Sequence, residues 1–255
     1  MLKCVRVDVL SYVGSNWFTS CRSPLRIAAG LFACLRCNDR QVTQPTLHTR
    51  RLTLVPLVDE HLELEVELDS DPEVMRYLTG RALTRAEAER AHHRRRAAAR
   101  KVPGLGFWVG FAEDGFVGWW ILQPPHGPDQ PNIAGEADLG YRLLRCRWRC
   151  GYASEGAKEL IRYGFSNLGL NRIFAQTMAA NTASRATMAA AGLSFVRAFI
   201  SAGTYEDAVF GAEQGEVEYD ITQAKWQQRQ ATALENQQQA SLDRCTDSTR
   251  EKRPG

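Results

Sequence analysis

The sequence predicts an α+β fold, and two adjoining patterns carry that prediction. Between residues 138 and 143, apolar and polar residues alternate with a period of two, which is typical of a strand. From Ser154 onwards, apolar residues recur every three or four positions, which is typical of a helix. Gly151 lies at the switch between the two patterns. Other strand patterns and helix caps occur along the chain, so both element types are expected in one domain.

The composition limits the class of protein. The chain has 255 residues, of which 44% are hydrophobic, so it suits one sizeable globular domain with appendages. Its formal net charge of +3 argues against a general nucleic-acid binder. No apolar run approaches the roughly 18 residues that a membrane span needs. The seven cysteines are scattered and odd in number, which favours reduced thiols and a cytoplasmic location.

Residues 1–45 differ in composition from the rest of the chain, because they carry four cysteines, several arginines and only two acidic residues. A basic, acid-poor segment is typical of a targeting peptide, but a continuous apolar stretch before a cleavage site is missing. Cys34 and Cys37 have C-x-x-C spacing, yet a structural zinc needs a second close pair, so no metal is predicted. The segment is predicted to be a disordered extension before a domain over residues 46–226.

Local signals predict the helices in the first half of the domain. Residues 62–68 alternate like a strand, but Asp59 as an N-cap and the intervening glutamates favour a helix. Thr84 and Glu87 form a capping box, which opens a helix through residue 100. Because this helix is rich in arginine, a nucleic-acid surface and a solvated face are both open interpretations. The small net charge favours the solvated face.

The second half is predicted to alternate strands and helices. A glycine turn joins two aromatic-rich strands into a hairpin, and the long loop over residues 123–135 lies either over a cleft or on the open surface. A helix capped at residue 181 or 182 ends at Gly192. From residue 227 to 255 there are few large apolar residues, so a disordered tail is predicted.

The switch from strand to helix at Gly151 has the outline of an anion-binding site. The first turn of a helix has unpaired N–H groups and a partial positive charge, which favour a phosphate or pyrophosphate. A glycine there allows the ligand to approach the backbone closely.

Four sequence landmarks occur in order along the chain. They are residues 49–54 (TRRLTL), residues 148–155 (WRCGYASE), Asn181 with Ser184 before Ala191-Gly192-Leu193, and residues 218–226 (EYDITQAKW). Together they resemble the GNAT N-acetyltransferases, in the branch of the ribosomal-protein-alanine acetyltransferases. Arg149 and Cys150 depart from the Gly and Arg that this branch usually has.

The resemblance implies a twisted mixed sheet of six to seven strands with helices on both faces, and acetyl-CoA as co-substrate. It also implies a cofactor site in which loop amides hold the pyrophosphate and the strand end pairs with the pantetheine arm. The implied residues are Leu143, Leu144, Arg149, Cys150, Gly151, Tyr152, Ala153 and Asn181. Arg147 and Arg149 either add charge at the phosphates or are solvated.

Acetyl transfer to an amine needs a group that removes the proton of the amine and a group that stabilises the leaving thiolate. Glu136 and Asp138 share one face of the central strand, and Asp138 is the favoured base. Alternatively, both carboxylates are solvated or paired with Arg142 and Arg145. Ser184 is the candidate hydroxyl for the thiolate, with helix capping as its alternative role.

The predicted function is an N-acetyltransferase that acts on a primary amine by direct attack in a ternary complex, because no nucleophile elbow or Ser-His-Asp cluster is visible. The acceptor is either a protein N-terminus or a small molecule. The expected protein is a monomer or homodimer without membrane or nucleic-acid partners. The alternative is a non-catalytic CoA-responsive or nucleic-acid-associated module that uses the arginine-rich helix at 84–100.

Overall fold

The computed structural model describes residues 44–99, 102–127, 129–201 and 209–250, with side chains up to residue 239. The predictions for residues 1–43, including Cys34 and Cys37, lie outside the described residues. One sheet contains β1 Leu47–His48, β2 Thr53–Pro56, β3 Gly106–Ala112, β4 Gly115–Gln123, β5 Glu136–Leu143, β6 Arg172–Met178, β7 Ser194–Phe199 and β8 Glu216–Thr222. The helices are α1 Leu62–Asp69, α2 Pro72–Met75, α3 Arg85–Ala99, α4 Tyr152–Ser166, α5 Thr182–Ala191 and α6 Gln223–Arg250.

The sheet runs in the order β1-β2-β3-β4-β5-β6-β8-β7, and all neighbours are antiparallel except β5 and β6. The predicted α+β fold with a mixed sheet is therefore confirmed. Its described part has eight strands, one more than the upper expected number, because the two-residue β1 pairs with β2.

Helices cover both faces of the sheet. The apolar residues of α4 and α5 pack with the inner side chains of β5, including Leu139 and Tyr141. On the opposite face, Leu68 of α1 and Val74 of α2 pack with Trp119 of the hairpin. The two layers follow from strand geometry, because successive side chains of β4 and β5 point to opposite faces.

The helix starts show which local predictions succeed. Thr84 and Glu87 form the predicted capping box: the Glu87 N–H lies 3.3 Å from Thr84 Oγ1, and the Thr84 N–H donates to Glu87 Oε2 at 2.8 Å. The helix over residues 62–68 is confirmed as α1, but Asp59 is not its N-cap. A short 3-10 turn, Asp59–His61, precedes the helix, and the Asp59 carboxylate pairs with Arg96 instead.

The prediction of a solvated face on α3 is partly wrong, because His92 and Arg95 are 0% and 3% exposed. The Arg95 guanidinium donates to Glu65 Oε1 of α1 at 2.6 Å and to Asp69 Oδ2 at 3.2 Å. Arg142 of β5 donates to the second oxygen of Asp69. A buried ionic cluster of Glu65, Asp69, His92, Arg95 and Arg142 therefore joins α1 and α3 to the sheet.

The C-terminal segment differs from the prediction of disorder, because α6 continues to residue 250. Trp226 packs against Phe165 of α4, whereas the following side chains up to residue 239 are almost all exposed. Glutamine, alanine and glutamate have high helix propensity, so such a segment forms a helix without burying an apolar face. Within the described ranges, no helix is both long and apolar enough to cross a membrane.

Candidate active site

The candidate site begins where the parallel strands β5 and β6 separate. They pair only from Glu136 opposite Arg172 to Asp138 opposite Phe174. Beyond these positions β5 remains paired with β4 up to Leu143, and β6 remains paired with β8. In the part of the chain that the structure describes, the other edge of β5 therefore has no strand partner after Asp138. Such an edge presents a row of backbone groups with which an extended amide-containing ligand pairs.

The chain runs from this end of β5 through a short loop with a 3-10 turn, Arg145–Arg147, to the start of α4. Gly151 is the N-cap of the helix, with a φ of 79°, which favours glycine. The first bond of the helix runs from the Glu155 N–H to the Gly151 carbonyl at 3.1 Å. The N–H groups of Tyr152, Ala153 and Ser154 therefore have no partner within the helix and are available to an anion.

Trp120 of β4 positions this helix start against the sheet. Its indole N–H donates to the Ala153 carbonyl at 3.1 Å. Glycines make room for the ring on both sides, since a Cβ at Gly156 would lie 2.4 Å from the indole and one at Gly110 would lie 2.2 Å from it. Close packing of a buried tryptophan therefore determines where the first turn of α4 lies.

Arg51 is a charged group at the helix start that the sequence analysis did not single out. Its guanidinium lies over the Tyr152 ring at 4.6 Å and donates to the Glu155 carboxylate at 2.7 Å. Burial alone would raise the pKa of Glu155, but hydrogen bonds from Thr49 and Arg51 hold it below its usual value. By contrast, Arg147 is engaged with Asp114 of the hairpin turn. No local pattern indicates the position of Arg51, because Glu155 is 104 residues away.

Arg149 has a φ of 61° and is the non-glycine residue with positive φ among the described residues. The backbone therefore has the conformation that glycine adopts more easily, at the position where the resembled branch has glycine. The exposed side chain is tolerated, at the cost of local backbone strain.

Replacing Arg149 by glycine should raise the free energy of unfolding by up to about 1 kcal/mol, because the left-handed strain disappears while the unfolded chain gains some entropy. Urea denaturation measures the change. Arg162→Gly, on the exposed face of α4, is the control and should instead lower stability by about 1 kcal/mol. A loss of stability in Arg149→Gly would contradict the strain argument.

Leu143 and Leu144 differ in what their backbones offer. The Leu144 N–H donates to the Val117 carbonyl at 3.0 Å, so this amide is not available to a pantetheine arm. The alternation of an antiparallel ladder turns the neighbouring Leu143 amide to the open edge of β5. The Trp148 indole N–H donates to the Leu143 carbonyl at 2.9 Å. Of the two expected residues, Leu143 is thus the one whose amide faces the open edge.

The two candidate bases lie in different surroundings. Asp138 is 2% exposed and lies where β5 and β6 separate. Its Oδ2 is 3.5 Å from Gln130 Nε2 and 3.9 Å from His126 Nδ1, both on the loop before β5. Glu136 is bound to Arg172 at 3.0 Å. The described part of the loop over residues 123–135 therefore brings His126 and Gln130 beside Asp138.

The alternative pairing of these carboxylates with Arg142 and Arg145 is wrong. Arg142 points away to Asp69 of the buried cluster, and Arg145 pairs with Asp71 at 3.1 Å. Sequence proximity suggested the wrong partners because α1 and α2 dock on this end of β5.

Ser184 and Asn181 lie at the start of α5, and both are fully buried. The Asn181 side chain accepts from the Ser184 N–H at 3.1 Å, so the capping role considered for Ser184 belongs to Asn181. Ser184 Oγ lies 3.3 Å from the Tyr141 hydroxyl of β5. Burial raises the pKa of Tyr141, so its hydroxyl keeps its proton. A pair of hydroxyls thus connects α5 to the open edge of β5.

Cys150 and Cys146 are exposed free thiols beside the loop. Cys150 Sγ lies 3.4 Å from the Trp148 carbonyl. The structure describes no group of three or more His, Cys, Asp or Glu side chains that would hold a metal ion.

Comparisons with known proteins agree with this geometry. Residues 51–194 match the model of the acetyltransferase (GNAT) domain. The FsC-acetyl coenzyme A-N(2)-transacetylase of Aspergillus fumigatus is 45% identical over 194 residues, which span 75% of this chain and 82% of that protein. The uncharacterized N-acetyltransferase p20 of Bacillus licheniformis is 33% identical over 144 residues, 54% of this chain and 76% of that protein.

Solved structures show the same fold. A GNAT-family acetyltransferase from Bacillus anthracis has a TM-score of 0.57 at 20% identity, covering 71% of this chain and 99% of that one. A spermidine N-acetyltransferase from Vibrio cholerae, in complex with CoA and spermine, has a TM-score of 0.56 at 16% identity, covering 70% and 99%. With the matched domain and the 45% identical relative, this chain belongs to the GNAT acetyltransferase family.

Proposed function

We propose that this chain transfers the acetyl group of acetyl-CoA to a primary amine by direct attack within a ternary complex. The observation that carries the proposal is that β5 has no strand partner on the β6 side after Asp138 in the described structure, and that the chain leaving β5 leads into the start of α4. One linear ligand can place its phosphates on the helix amides and its amide arm along the strand. Acetyl-CoA has its pyrophosphate, pantetheine amides and thioester in that order.

Different residues are proposed to bind the phosphates and the pantetheine arm of acetyl-CoA. The phosphates fit the N–H groups at the start of α4, and Arg149 adds positive charge from the exposed side of the loop. The pantetheine arm fits the open edge of β5. The proposed cofactor-binding residues are Leu143, Arg149, Cys150, Gly151, Tyr152, Ala153 and Asn181, whereas the Leu144 amide is already engaged.

For the chemistry, Asp138 is the proposed base and Ser184, with Tyr141, the proposed hydroxyl near the leaving thiolate. Glu136 is the weaker candidate base, because its carboxylate is already held in an ion pair with Arg172. Asp138 lies at the point where the strands separate, where a thioester lying along β5 would end. Direct attack requires a neutral amine at this point.

The acceptor is proposed from the relative with 45% identity, whose name specifies transfer to an N(2) nitrogen of FsC. FsC, or a small molecule with a comparable amine, is therefore the first acceptor to test. A protein N-terminus is second, because residues 148–155 resemble the ribosomal-protein branch. We also propose a cytoplasmic monomer or homodimer, which the exposed free thiols support.

A non-catalytic or nucleic-acid-associated module is not favoured. Arg95, in the middle of the arginine-rich helix, is buried in ion pairs with α1 and cannot contact a phosphate backbone. The matched domain and the named relatives are acetyltransferases.

The test is an amine panel with acetyl-CoA, read by thiol release and by the mass gain of the acceptor. The panel contains FsC, spermidine and peptides with free N-termini. We expect acetylation of at least one amine, with FsC the best. Cofactor binding without acetyl transfer to any amine would contradict the proposed function.

Replacing Gly151 by valine should abolish the thermal stabilisation by acetyl-CoA, because a β-branched residue distorts the φ of 79° and its Cβ would lie 3.3 Å from the Arg51 guanidinium. The control is Gly169→Val, which has a similar φ of 66° and open space around it, beyond the other end of α4. Differential scanning fluorimetry should show the shift retained in the control alone. A full shift in Gly151→Val would remove this loop from the cofactor site.

A further inference from the structure

The proposed base, Asp138, is buried and needs a route for the proton that it takes. Asp138 is 2% exposed, and it is the last position at which β5 pairs with β6. A carboxylate that receives a proton there cannot pass it directly to bulk solvent. The structure places a second titratable side chain beside it.

His126 lies on the loop that joins β4 to β5, with Nδ1 3.9 Å from Asp138 Oδ2. Its side chain is 32% exposed, so the imidazole lies near the buried carboxylate and also meets the solvent. Gln123 Nε2 lies 2.9 Å from Nδ1 and 3.0 Å from Nε2 of the ring, so this amide packs against the imidazole. An imidazole ring has one nitrogen that accepts a proton and one that donates a proton, so it can pass a proton across the ring.

Gln130 fixes this loop over Asp138. Its Oε1 accepts from the His126 backbone N–H at 2.9 Å and from the Gly127 N–H at 3.1 Å. Its Nε2 donates to Gln176 Oε1 of β6 at 2.9 Å. One glutamine side chain therefore joins the backbone that carries His126 to the strand opposite Asp138.

Most charged groups on the neighbouring strands are held in ion pairs. Glu136, Glu218 and Asp220 are bound to Arg172, and Arg197 is bound to Glu218. Asp129 lies on the loop and accepts from Ser201, and Glu216 of β8 is buried. Hydrogen bonds from Gln176, Arg172 and Arg197 outweigh burial and hold the pKa of Glu218 low, so it stays ionised. The side chains of Gln130 and Gln176 are neutral amides, so they neither gain nor lose a proton near neutral pH.

We propose that His126 is the proton exit of the acetyl transfer. It accepts the proton of the acceptor amine from Asp138 through one bridging water, which the 3.9 Å separation requires, and releases it to solvent. This inference rests on the proposed function. The ammonium loses one proton to Asp138, and the nitrogen lone pair forms a C–N bond with the thioester carbonyl carbon as the C–S bond breaks. The second proton from nitrogen goes to the thiolate, so one proton per acetyl group leaves through His126.

The test compares His126→Gln with the wild type and with His93→Gln, a control at an exposed histidine of α3. At neutral pH, kcat of His126→Gln should fall by roughly 10- to 100-fold, within the usual contribution of general acid–base groups. The dissociation constant for acetyl-CoA should be unchanged. Added imidazole should restore part of kcat in His126→Gln and have little effect on the wild type. One limb of the pH–kcat profile should disappear in His126→Gln and persist in His93→Gln.

The outcomes separate the two proposals. A wild type that acetylates an amine while His126→Gln keeps full kcat overturns the proton exit and leaves the proposed function in place. A loss of kcat that imidazole does not restore, with an unchanged pH profile, assigns His126 a structural role and also overturns the proton exit. A wild type that acetylates no amine contradicts the proposed function itself.

Discussion

Replacing Asp69 by asparagine should lower the free energy of unfolding by about 3 to 5 kcal/mol, the range for breaking a buried ion pair on one side. Asp69 is 0% exposed and accepts from both Arg95 and Arg142. Without the carboxylate, the Arg142 guanidinium would remain buried above the Trp119 ring, at 4.9 Å from its centroid, without its anion. Urea denaturation should show the loss directly.

Two comparisons make this prediction specific. Glu159→Gln breaks the partly exposed pair with Arg162 and should cost less than about 1 kcal/mol. The double variant Asp69→Asn with Arg142→Met should recover part of the loss, because it removes the uncompensated charge. A loss below about 1 kcal/mol in Asp69→Asn would show that the cluster is not needed for stability.

The Asp69 carboxylate should also make the free energy of unfolding fall at low pH. Burial alone would raise the pKa of Asp69, but the charges of Arg142 and Arg95 outweigh it and hold the pKa below its usual value. Since the pKa is lower in the folded state, the stabilisation is present above the unfolded pKa of about 4 and is lost as pH falls through the folded value. Asp69→Asn should lack this part of the acid dependence.

Replacing Ser184 by alanine should lower kcat by roughly 10- to 1000-fold while leaving the dissociation constant for CoA nearly unchanged. The leaving thiolate needs a hydrogen-bond donor, and Ser184 Oγ lies beside the Tyr141 hydroxyl at the open edge of β5. The helix should remain folded, because Asn181 is its N-cap. The Tyr141 hydroxyl should not lose its hydrogen bond either, because it can still donate to the backbone carbonyl of residue 184 at 3.2 Å.

The control for this substitution is Thr182→Ala, an exposed hydroxyl on the first turn of the same helix. Steady-state kinetics with the best acceptor, together with CoA titration, separate turnover from binding. Wild-type turnover in Ser184→Ala would show that Ser184 does not stabilise the leaving thiolate. Water or a backbone N–H would then be the hydrogen-bond donor. A parallel loss in Thr182→Ala would point to the helix rather than to the hydroxyl.

Much of the fold followed from local patterns. The period of two at β5, the capping box at Thr84 and the glycine at 192 were each predicted from a few neighbouring residues and are present. Local signals also misled, since Asp59 is not the N-cap of α1 and the segment after residue 227 is helical. In both cases, the short sequence is compatible with more than one backbone conformation.

The candidate site was predictable only where it follows the chain. Gly151 and the start of α4 are recognisable because strand, glycine and helix are consecutive. The sequence did not indicate a role for Arg51, Tyr141 or His126. Each of them contacts or lies near a partner on another element, which only the tertiary structure shows. The engagement of the Leu144 N–H could not be predicted, because only the ladder with β4 shows which way it points.

The sequence by itself determined the family, the type of most elements and the position of the helix start that we propose as the anion site, because periodicity, caps and turns depend on residues a few positions apart. The tertiary structure decided which charges meet. The partners Asp69 and Arg142 are 73 residues apart, and Tyr141 and Ser184 are 43 apart. Such pairs exist only once the strand order and the docking of α1, α3 and α5 are set, and hydrophobic burial over the whole sheet drives that docking.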